Sequence, residues 1–297
     1  MAPKDGPRAY HIRPFETPEE YRECAEFQEE VWGQGFNERV SAAILMVANK
    51  IGGLAAGAYD DGGLLLGFVF GLTGVKDGVL VHWSDMLAVR EGYRDRGLGR
   101  ALKAYQREVL LGRGVRRMHW TFDPLQSRNA YVNFARLGIV SREYVRDMYG
   151  DTGSPLHRVG TDRLIATWEM DSERVARRLA GDERPPTWVD LAGRGLQAEA
   201  GAARPSRAGD VPEALSALED VEPPRPGASD LDLDTPSIFV AIPRDLDALM
   251  GEAPKLAREW RGATRPVFET YMARGYQVRE LLPGEGVSRY LLVKEGT

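Results

Sequence analysis

Gly97 and Gly99 lie among four arginines in the segment EGYRDRGLGRALKAYQRE, residues 91–108. The segment follows an apolar run that ends at Val89 and continues directly into a helical pattern. Backbone N–H groups at a helix N-terminus lack partners within the helix and carry a partial positive charge. Glycine lets the loop curl so that several of these groups reach one anion, and arginine adds charge-assisted bonds to phosphate oxygens. The segment therefore predicts a cradle for a pyrophosphate group.

Two familiar nucleotide motifs do not account for these glycines. A P-loop is excluded because no Gly-Lys-Ser/Thr sequence follows. The dinucleotide fingerprint fits poorly, since Leu102 stands at the position of its third glycine. On spacing alone, an ordinary strand-to-helix turn with exposed arginines remains the alternative interpretation.

The bulk composition limits the class of partner. The chain has 297 residues with 39 basic and 44 acidic side chains, giving a formal net charge of −5. This balance argues against nucleic-acid binding. No apolar run approaches the roughly 18 residues of a membrane span, so we expect no membrane partner. Four histidines without paired spacing predict no metal site, and the one cysteine, Cys24, excludes an intramolecular disulfide. We expect a cytoplasmic protein.

Periodicity and turn signals predict the order β-α-α-β-β-β-α-β-α-β-β up to residue 170. Thr17, followed by proline and by Glu20, predicts the start of the first helix. The run VLVHWSDMLAV, residues 79–89, predicts the strand before the glycine segment. Hairpins come first and a strand–helix–strand unit follows. The sequence therefore predicts an α/β fold with a mixed, mostly antiparallel sheet and helices on both faces.

The second half of the chain divides differently. We predict a folded domain over 1–184, an irregular linker or covering segment rich in proline and glycine over 185–235, and a small β-α-β-β segment over 236–297. FARLGIVSRE, starting at 134, also resembles YMARGYQVRE, starting at 271. This similarity indicates either a degenerate repeat or the chance likeness of two common helix exits.

The motif Arg94-x-x-Gly97-x-Gly99 after MLAV is similar to the acyl-CoA signature of the GCN5-related N-acetyltransferase (GNAT) superfamily. The element order resembles that fold across residues 8–170. The stretches SDMLAV and WTFDPLQSRNAYVNFARLG, together with IPRDLDAL and LAREWR nearer the C-terminus, resemble a bacterial GNAT group with a C-terminal extension.

The resemblance implies binding of acetyl-CoA or another acyl-CoA. It implies a central strand pair that splays apart, here residues 79–89 and 117–122, with the thioester between them. The residues implied to bind the coenzyme are Leu87, Ala88 and Val89 along the pantetheine arm, and Arg94, Arg96, Gly97, Leu98, Gly99 and Arg100 at the pyrophosphate. Asn129, near the start of the following helix, is a further candidate ligand of the coenzyme; a contact with a substrate carboxylate and a solvated helix start are its alternatives.

Both catalytic positions of the family pattern are altered in this sequence. The usual glutamate base falls on Trp83, and we take Asp85, two residues further, as the candidate base. Strand alternation predicts that Asp85 faces the same side as Trp83, Leu87 and Val89. The alternative is that Asp85 caps a loop or pairs with an arginine.

The usual tyrosine acid falls on Phe134, which cannot donate a proton. Tyr131, three residues earlier, is the candidate acid, with core packing as its alternative role.

These expectations combine into an N-acyltransferase that moves an acetyl group from acetyl-CoA to the amine of a small molecule such as an amino acid. Succinyl is a second candidate acyl group because of the clustered arginines. The alternative function is a non-catalytic acyl-CoA-binding module. A further expectation is that residues 237–297 form an interaction element that supports a homodimer; the other reading is that they extend the first sheet.

Overall fold

The computed structural model describes residues 10–34, 36, 38–150, 158–182 and 211–295. The chain divides into two compact units, Met1–Trp120 and Thr121–Thr297. The strands of the first unit are β1 (Tyr10–Pro14), β2 (Leu54–Asp60), β3 (Leu65–Lys76), β4 (Val79–Val89) and β5 (Arg117–Phe122), whose last two residues belong to the second unit. Its helices are α1 (Pro18–Trp32), α2 (Ala42–Lys50) and α3 (Leu98–Gly112).

The sheet of the first unit has the order β1-β2-β3-β4-β5. The first four strands are antiparallel neighbours. β4 and β5 are parallel, and they pair only over Val81–Trp83 and Arg117–His119. The mixed, mostly antiparallel sheet predicted from the sequence is confirmed, and the central parallel pairing stops after three residues on each strand.

Helices cover both faces of this sheet, as predicted. α1 and α2 pack on one face, where Phe68, Phe70 and Ala88 join Cys24 in a buried cluster. α3 packs on the other face through Leu98 and Leu102, together with residues of β2, β3 and the end of β4. The predicted capping box of Thr17 and Glu20 is present at the start of α1.

A β-bulge interrupts the pairing of β3 with β4. Phe70 lies opposite Met86, but the next residue, Gly71, lies opposite Ser84, so Asp85 is an extra residue on β4. A bulge inserts one unpaired residue and reverses the in-and-out alternation beyond it. The side chains before and after Asp85 are therefore out of phase along β4.

The second unit contains α4 (Ser127–Tyr131), which continues as a π-helical turn (Val132–Arg136), then β6 (Val140–Val145), β7 (Arg163–Glu169), α5 (Glu173–Ala180), β8 (Glu213–Leu218), β9 (Arg225–Ser229), β10 (Ser237–Pro243), α6 (Leu246–Glu252), α7 (Pro254–Ala273), β11 (Tyr276–Leu282) and β12 (Val287–Lys294). Its strands follow the order β7-β6-β11-β12-β10-β8-β9. β11 pairs with β6, so the C-terminal strands extend the sheet that contains β6 and β7.

Part of the segment predicted to be irregular forms strands. Residues 185–210 lie outside the described residues, but β8 and β9 fall within 211–235, and there the prediction of irregular structure is wrong. β9 is the last strand of the sheet, and its Pro226 is tolerated because an edge strand does not need every N–H for pairing. The predicted domain boundaries at 184 and 236 stay predictions.

The two similar sequence segments adopt similar structures within the second unit. Each runs from a helix through a glycine with positive φ, Gly138 at +74° and Gly275 at +82°, into a strand with an antiparallel partner. When the two glycines are aligned, Ser141 corresponds to Val278, and these two residues face each other where β6 pairs with β11. Equivalent residues meet at the contact between the two segments, which is the arrangement that a duplicated unit related by an approximate two-fold axis gives.

A buried ionic contact joins α5 to β11. Glu280 is 6% exposed, and its Oε1 atom accepts hydrogen bonds from Arg174 at 2.8 Å and Arg178 at 2.7 Å. A buried charge whose partner is removed or displaced is strongly destabilising. The position of the Arg178 side chain is therefore constrained.

Alanine substitution at the two equivalent glycines should have unequal effects. Both positions have positive φ, which costs a residue with a Cβ about 1–2 kcal/mol. A Cβ at Gly138 would also lie 3.1 Å from Cγ of Arg178, whereas a Cβ at Gly275 meets nothing within 4 Å. We expect Gly138→Ala to lower the free energy of unfolding more than Gly275→Ala, as measured by urea denaturation. Equal losses would contradict the role assigned to Arg178.

Candidate functional site

The start of α3 is not capped by a side chain. Gly97 has a φ of +84°, and the helix begins at Leu98. The first turn contains no acidic residue. Glycine is needed at position 97 because a residue with a Cβ is strained at this φ. The helix start therefore offers N–H groups and a positive dipole end, with no carboxylate in its first turn.

The same helix start lies beside the end of β4. A Cβ on Gly99 would lie 3.6 Å from Cδ2 of Leu87 and 3.9 Å from Cγ2 of Val89. Arg94 is exposed, and its Nε donates to the carbonyl oxygen of Val89 at 3.0 Å. The structure thus brings together the predicted pyrophosphate and pantetheine residues. Arg96 and Arg100 are exposed on the same loop and first turn.

A buried lysine lies where β4 and β5 separate. The last paired residues are Trp83 and His119, and the next residues along the two strands are Ser84 and Trp120. Nζ of Lys103, on α3, donates to Oγ of Ser84 at 2.7 Å and lies 4.0 Å from the centroid of the Trp120 ring. We call this point, defined by Ser84, Lys103 and Trp120, the strand fork.

Burial lowers the pKa of Lys103 to about 7. The side chain is 8% exposed, and its polar contacts within the described part of the chain are Ser84, Oε1 of Gln106 at 3.3 Å and Sδ of Met118 at 3.8 Å. Each of these groups is uncharged. Sequence reasoning missed this residue, because a single lysine on an amphipathic helix is usually solvated.

A hydrogen-bond chain continues from Lys103 into β4 and β3. Nε2 of Gln106 lies 2.9 Å from Nε2 of His82, and Nδ1 of His82 lies 2.9 Å from Oγ1 of Thr73, which donates to the carbonyl of Gly52. The chain is consistent when the neutral His82 ring accepts at Nε2 and donates at Nδ1. Burial, with the charge of Lys103, lowers the pKa of His82 to about 3.

Asp85 lies on the opposite side of β4 from the residues that contact α3. His82 and Ser84 bond to α3 before the bulge, and Leu87 and Val89 pack against it after the bulge. The prediction that Asp85 faces the same side as Trp83 is confirmed by their hydrogen bond, and the prediction that it also shares the face of Leu87 and Val89 is wrong. The extra residue reverses the alternation, which the sequence does not reveal.

The surroundings of Asp85 suit a proton acceptor. Burial raises the pKa of its carboxyl group above the ordinary value, and the charge of Glu38, in the segment between α1 and α2, raises it further. A hydrogen bond from the indole of Trp83 opposes this rise. Asp85 nevertheless remains solvent-accessible. An accessible carboxylate with a raised pKa can take a proton from an incoming group.

Residues 8–139 match the family model of the acetyltransferase (GNAT) family. These residues form a GNAT domain. They include the start of α3, the strand fork and Asp85.

Solved structures that resemble the chain are distant. The ribosomal-protein-S18-alanine N-acetyltransferase of Escherichia coli is 18% identical, covers 55% of this chain and 96% of its own, and has a TM-score of 0.44. NAA60 of Arabidopsis thaliana, determined with a bisubstrate analogue, is 17% identical, with a TM-score of 0.43. The match covers 54% of this chain and 97% of NAA60. A GNAT-family acetyltransferase of Streptococcus pneumoniae is 16% identical, with a TM-score of 0.44. The match covers 54% of this chain and 98% of that protein. A search of curated proteins found no match.

The remaining predicted site residues belong to the second unit. Asn129 is exposed on α4, and Tyr131 is partly buried, with the Arg136 guanidinium 5.6 Å from its ring centroid. Phe134 is fully buried, with its ring centroid 5.9 Å from that of Phe122. The packing of Phe134 is that of a core residue. The assignments of Tyr131 as acid and Asn129 as coenzyme ligand stay predictions.

Within the described ranges, no group of three or more His, Cys, Asp or Glu side chains is placed to hold a metal ion. Among the helices described, none combines the length and the apolar character that crossing a membrane requires.

The buried lysine of the GNAT domain should make stability depend on pH. Its pKa is about 7 in the folded state and about 10.5 when the chain unfolds. Between these values the unfolded state binds more protons, so the free energy of unfolding rises with pH. We expect Lys103→Met to reduce this rise in thermal denaturation between pH 7 and 10. Lys50→Met removes an exposed lysine and should keep the wild-type dependence; equal curves for all three proteins would contradict the assignment.

Proposed function

We propose that the chain is an acyl-CoA-dependent N-acyltransferase that transfers an acetyl group to the amine of a small molecule, such as an amino acid. The observation that carries the proposal is the uncapped start of α3, which lies against Leu87 and Val89 at the end of the splaying strand β4. Acetyl-CoA is the expected donor, and succinyl-CoA is the second candidate.

The donor side fits coenzyme A in its chemistry. The N–H groups of Leu98, Gly99 and Arg100 lie in the first turn of α3, where phosphate oxygens are favourable ligands. Arg94 and Arg96 add positive charge at the same place. Bound coenzyme A would supply the activated acyl group as a thioester. The protein's part is to hold the pyrophosphate at the helix and to direct the acyl end along β4.

The acceptor side carries negative charge. Asp85 and Glu38 lie close enough for Glu38 to raise the pKa of Asp85. Two carboxylates attract a protonated amine, and the raised pKa of Asp85 suits it to accept the proton that the amine must lose.

Positioning accounts for much of the expected rate. The amine nitrogen attacks the acyl carbonyl carbon, an N–C bond forms, the C–S bond breaks and its electron pair stays on sulfur. Asp85, directly or through water, takes the amine proton. Orientation of bound reactants can supply about 7–11 kcal/mol, and a thiol with a pKa near 8.5 leaves readily. A tyrosine acid is therefore not required.

Two observations favour a second function, a non-catalytic acyl-CoA-binding module. Phe134 stands at the position of the usual acid and is fully buried. Trp83 stands at the position of the usual base. Release of free thiol from acetyl-CoA in the presence of a panel of amines distinguishes the two functions, because a binding module would release none.

Coenzyme binding should depend on the charge at position 99. A side chain is accommodated there, since its Cβ meets Leu87 and Val89 at ordinary contact distances. We expect acetyl-CoA at 100 times its dissociation constant to stabilise the wild type by about 2.7 kcal/mol, seen as a thermal shift. Gly99→Asp should lose this shift because its carboxylate repels phosphate, and Gly99→Asn, of the same shape, should retain more of it. Equal shifts in the two variants would mean that the cradle does not bind an anion.

The pH dependence of transfer should report Asp85. A base must be deprotonated, so the rate should rise with pH through the raised pKa of Asp85. Glu38→Gln removes one cause of the raised pKa of Asp85, so the increase of rate with pH should begin at lower pH. Asp85→Asn should abolish the part of the pH dependence that comes from Asp85 and lower kcat by about 10²- to 10⁴-fold.

All three proteins are compared with one acceptor, so that deprotonation of the acceptor contributes equally to each profile. If the increase of rate with pH is unchanged in Asp85→Asn, Asp85 is not the base.

A further inference from the structure

Lys103 is the charged group at the strand fork. Its Nζ atom contacts the first residue of each strand beyond the paired region, Ser84 on β4 and Trp120 on β5. We propose that the ammonium group of Lys103 binds an anionic group of the acyl-CoA donor at the strand fork. This proposal rests on the proposed function, because it requires the thioester to lie between β4 and β5.

The first argument is the charge of the surroundings. Lys103 meets Ser84 on β4, Met118 and Trp120 on β5, and Gln106 on its own helix. None of them carries a charge. The titratable group next along the chain of hydrogen bonds is His82, which is neutral at ordinary pH. Within the described residues, the ammonium group therefore has hydrogen-bond acceptors and an aromatic face, but no anion.

The second argument is the free energy of that arrangement. A buried cation without an anion is unfavourable, which is why burial lowers the pKa of Lys103. An anion that enters the site restores the pairing, and the side chain then holds its proton more strongly. The site is prepared for a negative charge that arrives with a ligand.

The third argument is the direction from which the donor comes. The cradle at Gly97 and Gly99 lies beside Val89, and the arm of the coenzyme is proposed to follow β4 back from Val89 to Leu87. Ser84 lies five residues before Val89, about 16 Å along an extended strand. The acyl end of the donor thus points toward the strand fork, on the face of β4 that contacts α3.

Two anions of the donor can meet Lys103 there. One is a carboxylate at the far end of a dicarboxylic acyl group such as succinyl. The other is the thiolate that forms when the C–S bond breaks and its electron pair stays on sulfur. The chemistry that recognises them is the same, a single ammonium group in surroundings of low polarity.

Two pairs of ligands separate these sources, with dissociation constants measured by calorimetry on the full chain. Succinyl-CoA and butyryl-CoA have four-carbon acyl groups and differ in the terminal carboxylate. At pH 8.5, coenzyme A and desulfo-CoA differ in the sulfur. Lys103→Met removes the charge and keeps the length, while Lys103→Gln keeps a hydrogen-bonding side chain. Lys50→Met is the control, since Lys50 is exposed on α2.

In wild type and Lys50→Met, one anionic ligand should bind at least about tenfold more tightly than its neutral partner, and both Lys103 variants should lose that preference. Loss within the succinyl pair identifies the carboxylate, and loss within the sulfur pair identifies the thiolate. The role of Lys103 is overturned if the preferences persist in both variants. It is also overturned if the wild type binds all four ligands without a preference. Both outcomes leave the proposed function intact. If none of the four ligands binds to the wild type, the proposed function fails as well.

Discussion

The parallel pairing of β4 with β5 ends after three residues, and Ser84, Asp85 and Lys103 lie around that end. β4 pairs with β3 along most of its length, which holds its backbone in place. Its other edge pairs with β5 over three residues. The bulge at Asp85 lies next to the end of that pairing. Gly71 faces the bulge from β3, and a Cβ there would collide with the His82 ring and the Trp83 carbonyl, so glycine is required for this close approach.

The bulge separates negative and positive groups onto opposite sides of one strand. Asp85 and Glu38 lie on the side away from α3, and Lys103 lies on the α3 side, bonded to Ser84. Had the strand continued without an extra residue, Asp85 would share the face of Leu87 and Val89. In the proposed reaction, an amine attracted by the carboxylates and a donor whose anionic group meets Lys103 would then compete for one side. The bulge instead leaves the proposed donor and acceptor opposite sides of β4.

Features that depend on local chemistry could be predicted from the sequence. The bounds of β4, the start of α1 at Thr17 and the glycine at the start of α3 follow from alternation, capping and backbone freedom, which neighbouring residues determine. The face of Asp85 could not be predicted, because a bulge is a property of the register between two strands. Lys103 was missed for a related reason. Its burial depends on how α3 packs against Ser84 of β4 and against Met118 and Trp120 of β5.

The strands β8 and β9 show the same limit from the other direction. Their segment is rich in proline and glycine, which locally disfavours a strand. Pairing with β10 and the edge position of β9 override that preference. Local composition therefore predicted a linker, whereas pairing with a neighbouring strand determines the structure of this segment.

The two similar segments of the second unit share a helix–glycine–strand passage. The helices that precede β11 begin differently from α3. At the start of α6, the side chain of Asp245 accepts the N–H of Ala248, and Asp247 follows in the first turn. A capping carboxylate and a phosphate compete for the same N–H groups, and the carboxylate also repels the phosphate. α7 begins with Pro254, which has no N–H to offer. The start of α3 after Gly97 has neither a side-chain cap nor a proline, and its first turn holds no acidic residue, so its N–H groups are left for a ligand.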